Sequence, residues 1–213
     1  MLNVCTNCGL YRPDKEIDPA GPDAICPECG HRHRFVYLPV MFVSGPSCAG
    51  KSTVCQLLMG RYTDAVLLDG DILWRDEFNS PKNGGVSGFF DMWLRVAKNI
   101  GQSGRPVVVF NAGATPDNVV NCVEARYFSS LHFLSMVCEA GELERRLKAR
   151  PEWRGSGREP FIAQQIGFDN WIRANGQKDG RNITLVDSSV HSEDETARLV
   201  ADWISGCIQE SSG

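Results

Sequence analysis

The stretch Gly45-Pro46-Ser47-Cys48-Ala49-Gly50-Lys51-Ser52 decides how the whole chain is interpreted. It matches the pattern G-x-x-x-x-G-K-[S/T] at every fixed position. An apolar, β-prone segment at 35–43 precedes it, and residues 52–60 carry apolar side chains at helical spacing after it. The sequence therefore predicts a strand, a tight glycine loop and a helix, rather than a chance turn before a core helix.

A loop of this type is suited to hold phosphate groups. Its glycines let main-chain N–H groups surround phosphate oxygens, its lysine reaches the β- and γ-phosphates, and the hydroxyl that follows binds Mg²⁺. The first turn of the helix adds the positive end of its dipole. We expect the nucleotide to contact Gly45, Ser47, Ala49, Gly50, Lys51, Ser52 and Thr53.

The length and composition are those of a globular protein. The chain has 213 residues, a formal net charge of −4 and 42% hydrophobic residues, which suits one α/β domain with a small appendage. No apolar run approaches the ~20 residues needed to cross a bilayer. Residues 1–8 lack the basic and apolar regions of a signal peptide. We therefore expect a cytoplasmic protein with no membrane partner.

Residues 1–37 are predicted to form a zinc ribbon ahead of the main domain. Two C-x-x-C motifs, Cys5 to Cys8 and Cys26 to Cys29, are separated by 17 residues, as in four-cysteine zinc sites. Each motif makes a tight turn that directs two thiolates to one point. The segment between the motifs is too poor in apolar residues to form a core, so bound Zn²⁺ would supply the folding free energy.

The charge of the ribbon argues against nucleic acid as its partner. Residues 1–37 hold four Lys or Arg against five Asp or Glu, and four thiolates on Zn²⁺ add about two more negative charges. A protein that follows a phosphate backbone needs the opposite sign. We expect the ribbon to be a stability or contact module, with nucleic acid a disfavoured partner.

The main domain, 38–213, alternates strand and helix signals. Nearly continuous apolar runs, typical of strands covered on both faces, predict strands at 38–43, 65–69, 106–110, 131–137 and 183–187. Helical spacing predicts helices at 50–61, 88–101, 116–127, 141–150, 159–174 and 193–208. Thr115 and Ser192 are the expected N-caps of two of them. This alternation predicts an α/β fold with a parallel sheet and right-handed crossovers.

Two carboxylates follow the second of these strands, in Asp69-Gly70-Asp71. Ligands of open parallel sheets bind at the carboxyl ends of the strands, so both carboxylates should face the phosphates. One would hold Mg²⁺ through a water molecule, and the other would accept the proton of an attacking hydroxyl. We assign Asp71 to the hydroxyl and Asp69, with Ser52, to the metal. The reverse order and a plain Asp-Gly turn are the alternatives.

The third strand ends at Phe110-Asn111, where many phosphate-loop ATPases carry a metal-holding aspartate. An asparagine at this position weakens the interpretation as a motor ATPase or GTPase. It moves the metal role toward Asp69.

An arginine-rich segment covers residues 145–158. A predicted helix ends at Arg150-Pro151, and a glycine-containing loop with Arg154 and Arg158 follows. Arg146 lies one helical turn before Arg150. A mobile arginine loop over the phosphates would neutralise the transferring group and exclude water, whereas a solvated basic loop is the alternative. We expect Arg150 and Arg154 to be catalytic.

The long connection at 72–105 combines aromatic rings with cations. These residues are Trp74, Arg75, Phe78, Phe89, Phe90, Trp93 and Arg95. Aromatic rings with interspersed cations would hold a planar or sugar acceptor, or the rings would be core residues. The sequence favours neither interpretation.

With these motifs in place, residues 38–208 resemble the small phosphate-loop (P-loop) kinase superfamily. This superfamily includes nucleoside, nucleotide, shikimate, gluconate and adenylylsulfate kinases and chloramphenicol phosphotransferase. The loop marks the broad class, and the Asp69-Gly70-Asp71 and Arg150–Arg158 segments point to kinases of small acceptors. The resemblance implies a P-loop NTPase three-layer sandwich whose five-stranded parallel sheet has the order 2-3-1-4-5. It also implies an acceptor region after the second strand, an arginine lid and an adenine site near 187–190. The zinc ribbon lies outside this pattern.

The sequence as a whole predicts an ATP- and Mg²⁺-dependent kinase that phosphorylates a hydroxyl of a small acceptor, with a nucleoside or nucleotide as the first candidate. A nucleic-acid 5′-hydroxyl kinase is the second interpretation. A nucleotide-dependent switch or scaffold is the third, and both Asn111 and the arginine segment disfavour it.

Overall fold

The computed structural model of the chain describes residues 2–80, 82 and 85–211. Its strands are β1 (Glu16–Asp18), β2 (Asp23–Ile25), β3 (Arg32–Arg34), β4 (Val40–Ser44), β5 (Val66–Asp69), β6 (Val107–Phe110), β7 (Leu131–Val137) and β8 (Ile183–Asp187). Its α-helices are α1 (Lys51–Leu58), α2 (Gly85–Gly101), α3 (Pro116–Val119), α4 (Ala140–Lys148), α5 (Glu159–Asn175) and α6 (Glu193–Glu210). Short 3₁₀ helices cover Gly70–Leu73, Asp76–Asn79, Val123–Tyr127 and Glu152–Arg154.

The five strands β4 to β8 form one parallel sheet in the order β5-β6-β4-β7-β8. Counted along the chain within this sheet, the order is 2-3-1-4-5, as predicted. All residues of the central strand β4 and of its neighbour β6 are buried. Helices therefore cover both faces, which explains the continuous apolar runs in the sequence.

Side chains of β4 alternate between the two faces of the sheet. Met41 and Val43 pack in one cluster with α1 and α6, while Val40 and Phe42 pack in another with α2. The predicted three-layer sandwich is confirmed. All five strands run in the same direction, so their carboxyl ends meet at one edge.

The predicted helix 116–127 is wrong in its second half. The helix α3 ends at Val119, and Val123–Tyr127 form a 3₁₀ helix instead. The N–H of Glu124 donates to Asp91 Oδ1 of α2 at 3.0 Å rather than to a helix carbonyl. A tertiary contact, which no local pattern reveals, therefore replaces the continued helix.

The other helices lie close to their predicted positions. The predicted cap of α6 is confirmed, because the Ser192 side chain accepts a hydrogen bond from the Glu195 N–H at 3.2 Å. Thr115 precedes α3 as expected, but its side chain makes no capping hydrogen bond. Among the residues that the structure describes, no helix combines the length and apolar character required of a membrane span.

The strands β1, β2 and β3 form an antiparallel ribbon that packs on the main sandwich. Ala24 and Phe35 of the ribbon share a buried cluster with Tyr127 of the sandwich. The Tyr127 hydroxyl donates to the carbonyl oxygen of Pro13 at 2.8 Å. The ribbon therefore shares a core with the sandwich, and its folding as a separate domain over 1–37 stays a prediction.

A buried ion pair lies next to this contact. Lys98 of α2 is 1% exposed and pairs with Glu124, which is fully buried. Glu124 Oε1 also accepts hydrogen bonds from Arg95 Nε at 2.9 Å and from Asn3 Nδ2 of the ribbon at 2.6 Å. The buried charges of Lys98 and Glu124 thus neutralise each other within the protein.

Candidate active site

The glycine loop at 45–50 connects the end of β4 to α1. Gly45 has a φ of 130°, and a Cβ on it would lie 2.1 Å from the main-chain oxygen of Met136 in β7. Gly50 has a φ of 96°. The two fixed glycines of the motif therefore meet a steric need, because both have backbone conformations that side chains disfavour and one also faces a close strand.

Lys51 extends back across this loop. Its Nζ donates hydrogen bonds to the carbonyl oxygens of Gly45 and Pro46, both at 2.8 Å. Burial lowers the pKa of Lys51 to about 8, and the charge of Asp71 acts in the opposite direction. Carbonyl dipoles compensate a buried ammonium less fully than an anion does. An anion bound in the loop would therefore stabilise the charged lysine.

Two side chains outside the motif brace the loop. Gln165 Oε1 of α5 accepts a hydrogen bond from the Ser47 N–H at 2.8 Å. Arg146 of α4 donates to the carbonyl oxygens of Cys48 at 3.4 Å and of Ser188 at 3.0 Å. No sequence motif marks Gln165, because its contact joins residues 118 positions apart.

The Asp69-Gly70-Asp71 segment leaves β5 in a tight 3₁₀ turn. Asp69 Oδ1 accepts a hydrogen bond from the Asp71 N–H at 3.0 Å, so this carboxylate caps the turn. A Cβ on Gly70 would lie 2.7 Å from Asn111 Cβ, which leaves room only for glycine. The turn thus gives the two aspartates different surroundings, because Asp69 precedes and caps it whereas Asp71 lies within it.

Asn111, at the end of the neighbouring strand β6, orients Asp71. It is 7% exposed, and its Nδ2 donates to Asp71 Oδ1 at 2.9 Å while its own Oδ1 accepts from the Gly113 N–H at 3.0 Å. Asp71 Oδ2 makes no hydrogen bond to any residue within the described ranges. In the sequence, Asn111 stands out only as a departure from the ATPase pattern. Its place at the adjacent strand end was the signal that it could reach Asp71.

A cavity of about 300 Å³, the phosphate cavity, lies over the loop. The predicted site residues that line it are Ser47, Gly50, Lys51, Ser52, Thr53, Asp71 and Arg150. The predicted site residues outside this lining are Gly45, Ala49, Asp69 and Arg154. Segments far apart in the sequence, the loop, the turn after β5 and the end of the arginine helix, therefore meet at one cavity.

The arginine segment is divided in space. Arg150 lines the phosphate cavity, whereas the Arg154 guanidinium lies 4.9 Å from the ring centre of Trp153. Trp153 is 79% exposed and is not a core residue. Arg158 lies at the N-cap of α5. The catalytic role of Arg154 stays a prediction.

A second cavity, the Ser188 cavity, has a volume of about 320 Å³ and adjoins the phosphate cavity. The two share Cys48 and Gly50 of the loop and Thr53 of α1. The Ser188 cavity extends from there to Ser188 and His191, just after β8. It therefore lies where the family resemblance implies an adenine site.

A third cavity, the Trp74 cavity, has a volume of about 510 Å³ and adjoins the phosphate cavity on its other side. The two share Asp71 and Ala112. Trp74, Phe89 and Phe90 form its aromatic wall. Core packing and acceptor binding are therefore compatible in the aromatic segment, because Phe89 and Phe90 are buried core residues that also line a cavity.

The four ribbon cysteines converge on one point. The Sγ atoms of Cys5, Cys8, Cys26 and Cys29 all lie within 4.8 Å of one another. The Cys5–Cys29 Sγ distance is 3.6 Å, and the Cys8–Cys26 Sγ distance is 3.9 Å. Tetrahedral Zn²⁺ with Zn–S bonds of ~2.3 Å places its sulfurs ~3.8 Å apart. The thiol cluster therefore fits Zn²⁺ in size and in ligand chemistry.

Comparison with known proteins gives matches only among solved structures, since no family model and no curated protein matches the chain. A sugar kinase from Janibacter sp. HTCC2649 is 12% identical with a TM-score of 0.56, over 79% of this chain and 95% of that chain. A gluconokinase from Sinorhizobium meliloti 1021 is 16% identical with a TM-score of 0.55, over 84% of this chain and 97% of that chain.

A tRNA isopentenylpyrophosphate transferase from Bacillus halodurans is 12% identical with a TM-score of 0.51, over 82% of this chain and 98% of that chain. Identities this low establish the architecture alone. Together with the sheet order and the glycine loop, they show that the chain has the P-loop fold of these proteins and carries a four-cysteine ribbon in front of it.

Proposed function

We propose that the protein is an ATP- and Mg²⁺-dependent kinase that phosphorylates a hydroxyl of a small acceptor, a nucleoside or a nucleotide. The observation that carries the proposal is the position of Asp71, which lines both the phosphate cavity and the Trp74 cavity. A donor phosphate in one cavity and an acceptor hydroxyl in the other would meet at this carboxylate. Direct transfer depends on such positioning.

The donor would extend from the Ser188 cavity into the phosphate cavity. Loop N–H groups would hold the phosphate oxygens, and Lys51 would exchange its two carbonyl partners for a β- or γ-phosphate oxygen. Arg150 lines the same cavity and would neutralise charge on the group in transfer. We extend this role to Arg154, which would have to move from Trp153 to reach the phosphates.

The turn after β5 supports different roles for Asp69 and Asp71, because it gives their carboxylates different surroundings. When bound, Mg²⁺ would neutralise phosphate charge, and we assign Ser52 and, through water, Asp69 to hold it. Asp71 Oδ2 would accept the acceptor proton while the acceptor oxygen bonds to the γ-phosphorus. ADP would then leave with the electrons of the broken bridging bond. Asn111 would keep Oδ1 occupied, so that Oδ2 faces the acceptor.

The ribbon would contribute a structural Zn²⁺ bound by Cys5, Cys8, Cys26 and Cys29, whose sulfur spacing supports this assignment. Because the ribbon and the sandwich share a buried cluster, the metal would stabilise both. Metal analysis of the purified protein should find about one Zn²⁺ per chain.

A nucleic-acid 5′-hydroxyl kinase is the second candidate, since a fold relative is a tRNA-modifying transferase. The ribbon does not favour it. Arg12 pairs with Asp14 at 2.7 Å, and Arg32 pairs with Asp23 at 2.9 Å. These cations are therefore already neutralised within the ribbon and offer little to a phosphate backbone. A nucleotide-dependent switch without acceptor turnover is the third candidate.

One assay separates the three candidates. ADP release from Mg·ATP is measured with nucleosides, nucleotides, sugars and 5′-hydroxyl oligonucleotides in parallel. Stimulation by a small acceptor is the expected result. Stimulation by oligonucleotides alone would support the second candidate, and ATP binding with no stimulation by any acceptor would support the switch.

A further inference from the structure

The Trp74 cavity and the phosphate cavity differ in charge. The phosphate cavity is lined by Lys51 and Arg150. Within the described part of the chain, the lining of the Trp74 cavity contains no Lys, Arg or His, and Asp71 is its one charged residue. The acceptor side of the proposed site is therefore neutral to negative.

The cations that the sequence places nearby lie outside this lining. Arg75, next to Trp74, and Lys82 are exposed and do not line the cavity. Arg95 of α2 is engaged at the ribbon contact, where it pairs with Glu124 and lies 5.9 Å from the ring centre of Tyr11. The neighbouring residues outside the described ranges are Pro81, Asn83 and Gly84, which carry no charge.

Trp74 provides a flat apolar surface at this cavity. The residue is 40% exposed, and its ring meets the ring of Phe89 edge to face, with centroids 5.1 Å apart and planes at 75°. The ring of Phe78 supports it further at 5.9 Å. An indole held in this way offers a π-face on which a planar ring can stack.

The polar groups of the lining are mostly used within the protein. Asn111 donates to Asp71 and accepts from Gly113, and Asn118 Nδ2 donates to the Gly113 carbonyl oxygen at 2.9 Å. Asp71 Oδ2 is the strong acceptor left for a ligand. Asp71 Oδ2 would accept a hydrogen bond from a ligand hydroxyl. It would repel a phosphate or carboxylate, because the described lining offers no cation to compensate that charge.

We infer that the Trp74 cavity binds an uncharged acceptor with a flat ring, of the nucleoside class, and excludes its phosphorylated or carboxylated analogues. This inference rests on the proposed function and narrows its acceptor from "nucleoside or nucleotide" to the neutral compound. It also disfavours oligonucleotides, which carry a phosphate at every link.

The test compares matched neutral and anionic acceptors. A nucleoside is compared with its 3′- and 5′-monophosphates. Whether the kinase uses the 3′- or the 5′-hydroxyl, one of the two monophosphates still has that hydroxyl free. Both kcat/KM and the binding affinity, by calorimetry, are measured for each compound. The nucleoside should exceed both monophosphates by at least about tenfold in kcat/KM and in affinity. Trp74→Ala should lower the nucleoside kcat/KM by about tenfold, and Trp74→Phe, which retains a ring, should keep most of it.

A variant that adds a charge sharpens the test. Val86 lines the cavity and is 39% exposed on the first turn of α2, so a longer side chain should be tolerated there. Val86→Lys should raise kcat/KM for the monophosphates by about tenfold. The matched variant Val86→Gln, of similar length but uncharged, should not.

The outcomes separate this inference from the kinase proposal. Turnover that favours the monophosphates, or Val86→Lys and Val86→Gln with equal effects on them, would overturn the inference while the kinase stands. Nucleosides that bind more tightly than monophosphates, with binding lost in Trp74→Ala but no turnover with any acceptor, would support the selectivity of the cavity and overturn the kinase.

Discussion

The buried Lys98 at the ribbon contact and the partly buried Lys51 at the glycine loop have opposite surroundings. Burial lowers the pKa of both Lys98 and Lys51. Lys98 pairs with the buried carboxylate of Glu124 and lies 3.9 Å from the ring centre of Tyr127. Lys51 instead donates to the carbonyl oxygens of Gly45 and Pro46.

The different partners of Lys98 and Lys51 separate charges that stabilise the fold from charges that are available to bind a ligand. At the ribbon contact, the buried Lys98 and Glu124 compensate each other inside the protein, so this pair contributes to stability and to the docking of the ribbon. At the sheet edge, the carboxylate of Asp71 and the ammonium of Lys51 line one cavity, where both can form hydrogen bonds to a bound ligand. Variants at Asp71, Lys98, Asn111 and Lys51 test this contrast.

Asp71→Asn tests the carboxylate at the sheet edge. We expect turnover to fall by roughly 10² to 10⁴-fold, because the amide cannot accept the hydroxyl proton. The affinity for ATP should change far less than turnover, and the free energy of unfolding should stay unchanged, since the residue is exposed. Asp76→Asn, the same change at an exposed aspartate outside the cavities, is the control. Steady-state kinetics measure turnover, and titration with ATP measures its affinity. Equal losses of turnover and ATP affinity would contradict the assigned role.

Lys98→Met tests the paired lysine. It leaves Glu124 buried without its closest cation and should lower the free energy of unfolding by about 3–5 kcal/mol in urea titrations. Lys51→Met should not lower the free energy of unfolding, because it strands no buried carboxylate, yet it should abolish ATP binding. The double variant Lys98→Met with Glu124→Gln should recover part of the lost stability. Equal stabilities for the two single lysine variants would remove the contrast.

Asn111→Ala tests the residue that positions Asp71. Loss of its hydrogen bond to Oδ1 should lower kcat by roughly tenfold to a hundredfold while the Kd for ATP stays the same. The isosteric Asn111→Asp keeps the shape but replaces the amide donor with a second carboxyl group beside Asp71, so it should lose kcat as well. Full activity of Asn111→Asp would mean that Asn111 only fills space.

The pH dependence of ATP binding gives the smallest expected effect. A Lys51 pKa of about 8 leaves the ammonium mostly deprotonated at pH 9, so ATP affinity should fall by roughly tenfold between pH 7 and pH 9. The unfolded chain keeps the ordinary pKa of 10.5 and binds more protons than the folded chain between these values. The contribution of Lys51 to stability without ATP should therefore rise with pH from about 8 to 10.5.

Lys51→Arg, which stays charged throughout this range, is the matched control for the pH series. It should show neither slope. A fall in ATP affinity that is the same in Lys51→Arg and the native protein would assign the pH dependence to another group.

Sequence patterns predicted the sheet because its strands are short, continuous apolar runs whose burial leaves little choice of structure. They also predicted the loop, since Gly45 and Gly50 are required by local backbone geometry. The break after Val119 could not be predicted, because it depends on Asp91 reaching Glu124 from another helix.

The candidate site follows the same division. Lys51, Asp71 and Arg150 were found from motifs, and the fold brings all three to the phosphate cavity. The roles of Asn111 and Gln165 were missed, since each acts through a hydrogen bond to a residue distant in sequence. Among the described residues, the lack of Lys, Arg or His in the lining of the Trp74 cavity was also missed. The sequence places Arg75 and Arg95 among its aromatic residues, whereas the fold directs Arg95 to Glu124.

The most direct test of the account is a crystal structure with Mg²⁺, a non-hydrolysable ATP analogue and a nucleoside bound together. The measured quantity is the distance from the nearest nucleoside hydroxyl to the Asp71 carboxylate. We predict about 2.6–3.2 Å, with the γ-phosphate beside Lys51. A lysine still bound to Gly45 and Pro46, with the analogue elsewhere and the nucleoside far from Asp71, would contradict the account.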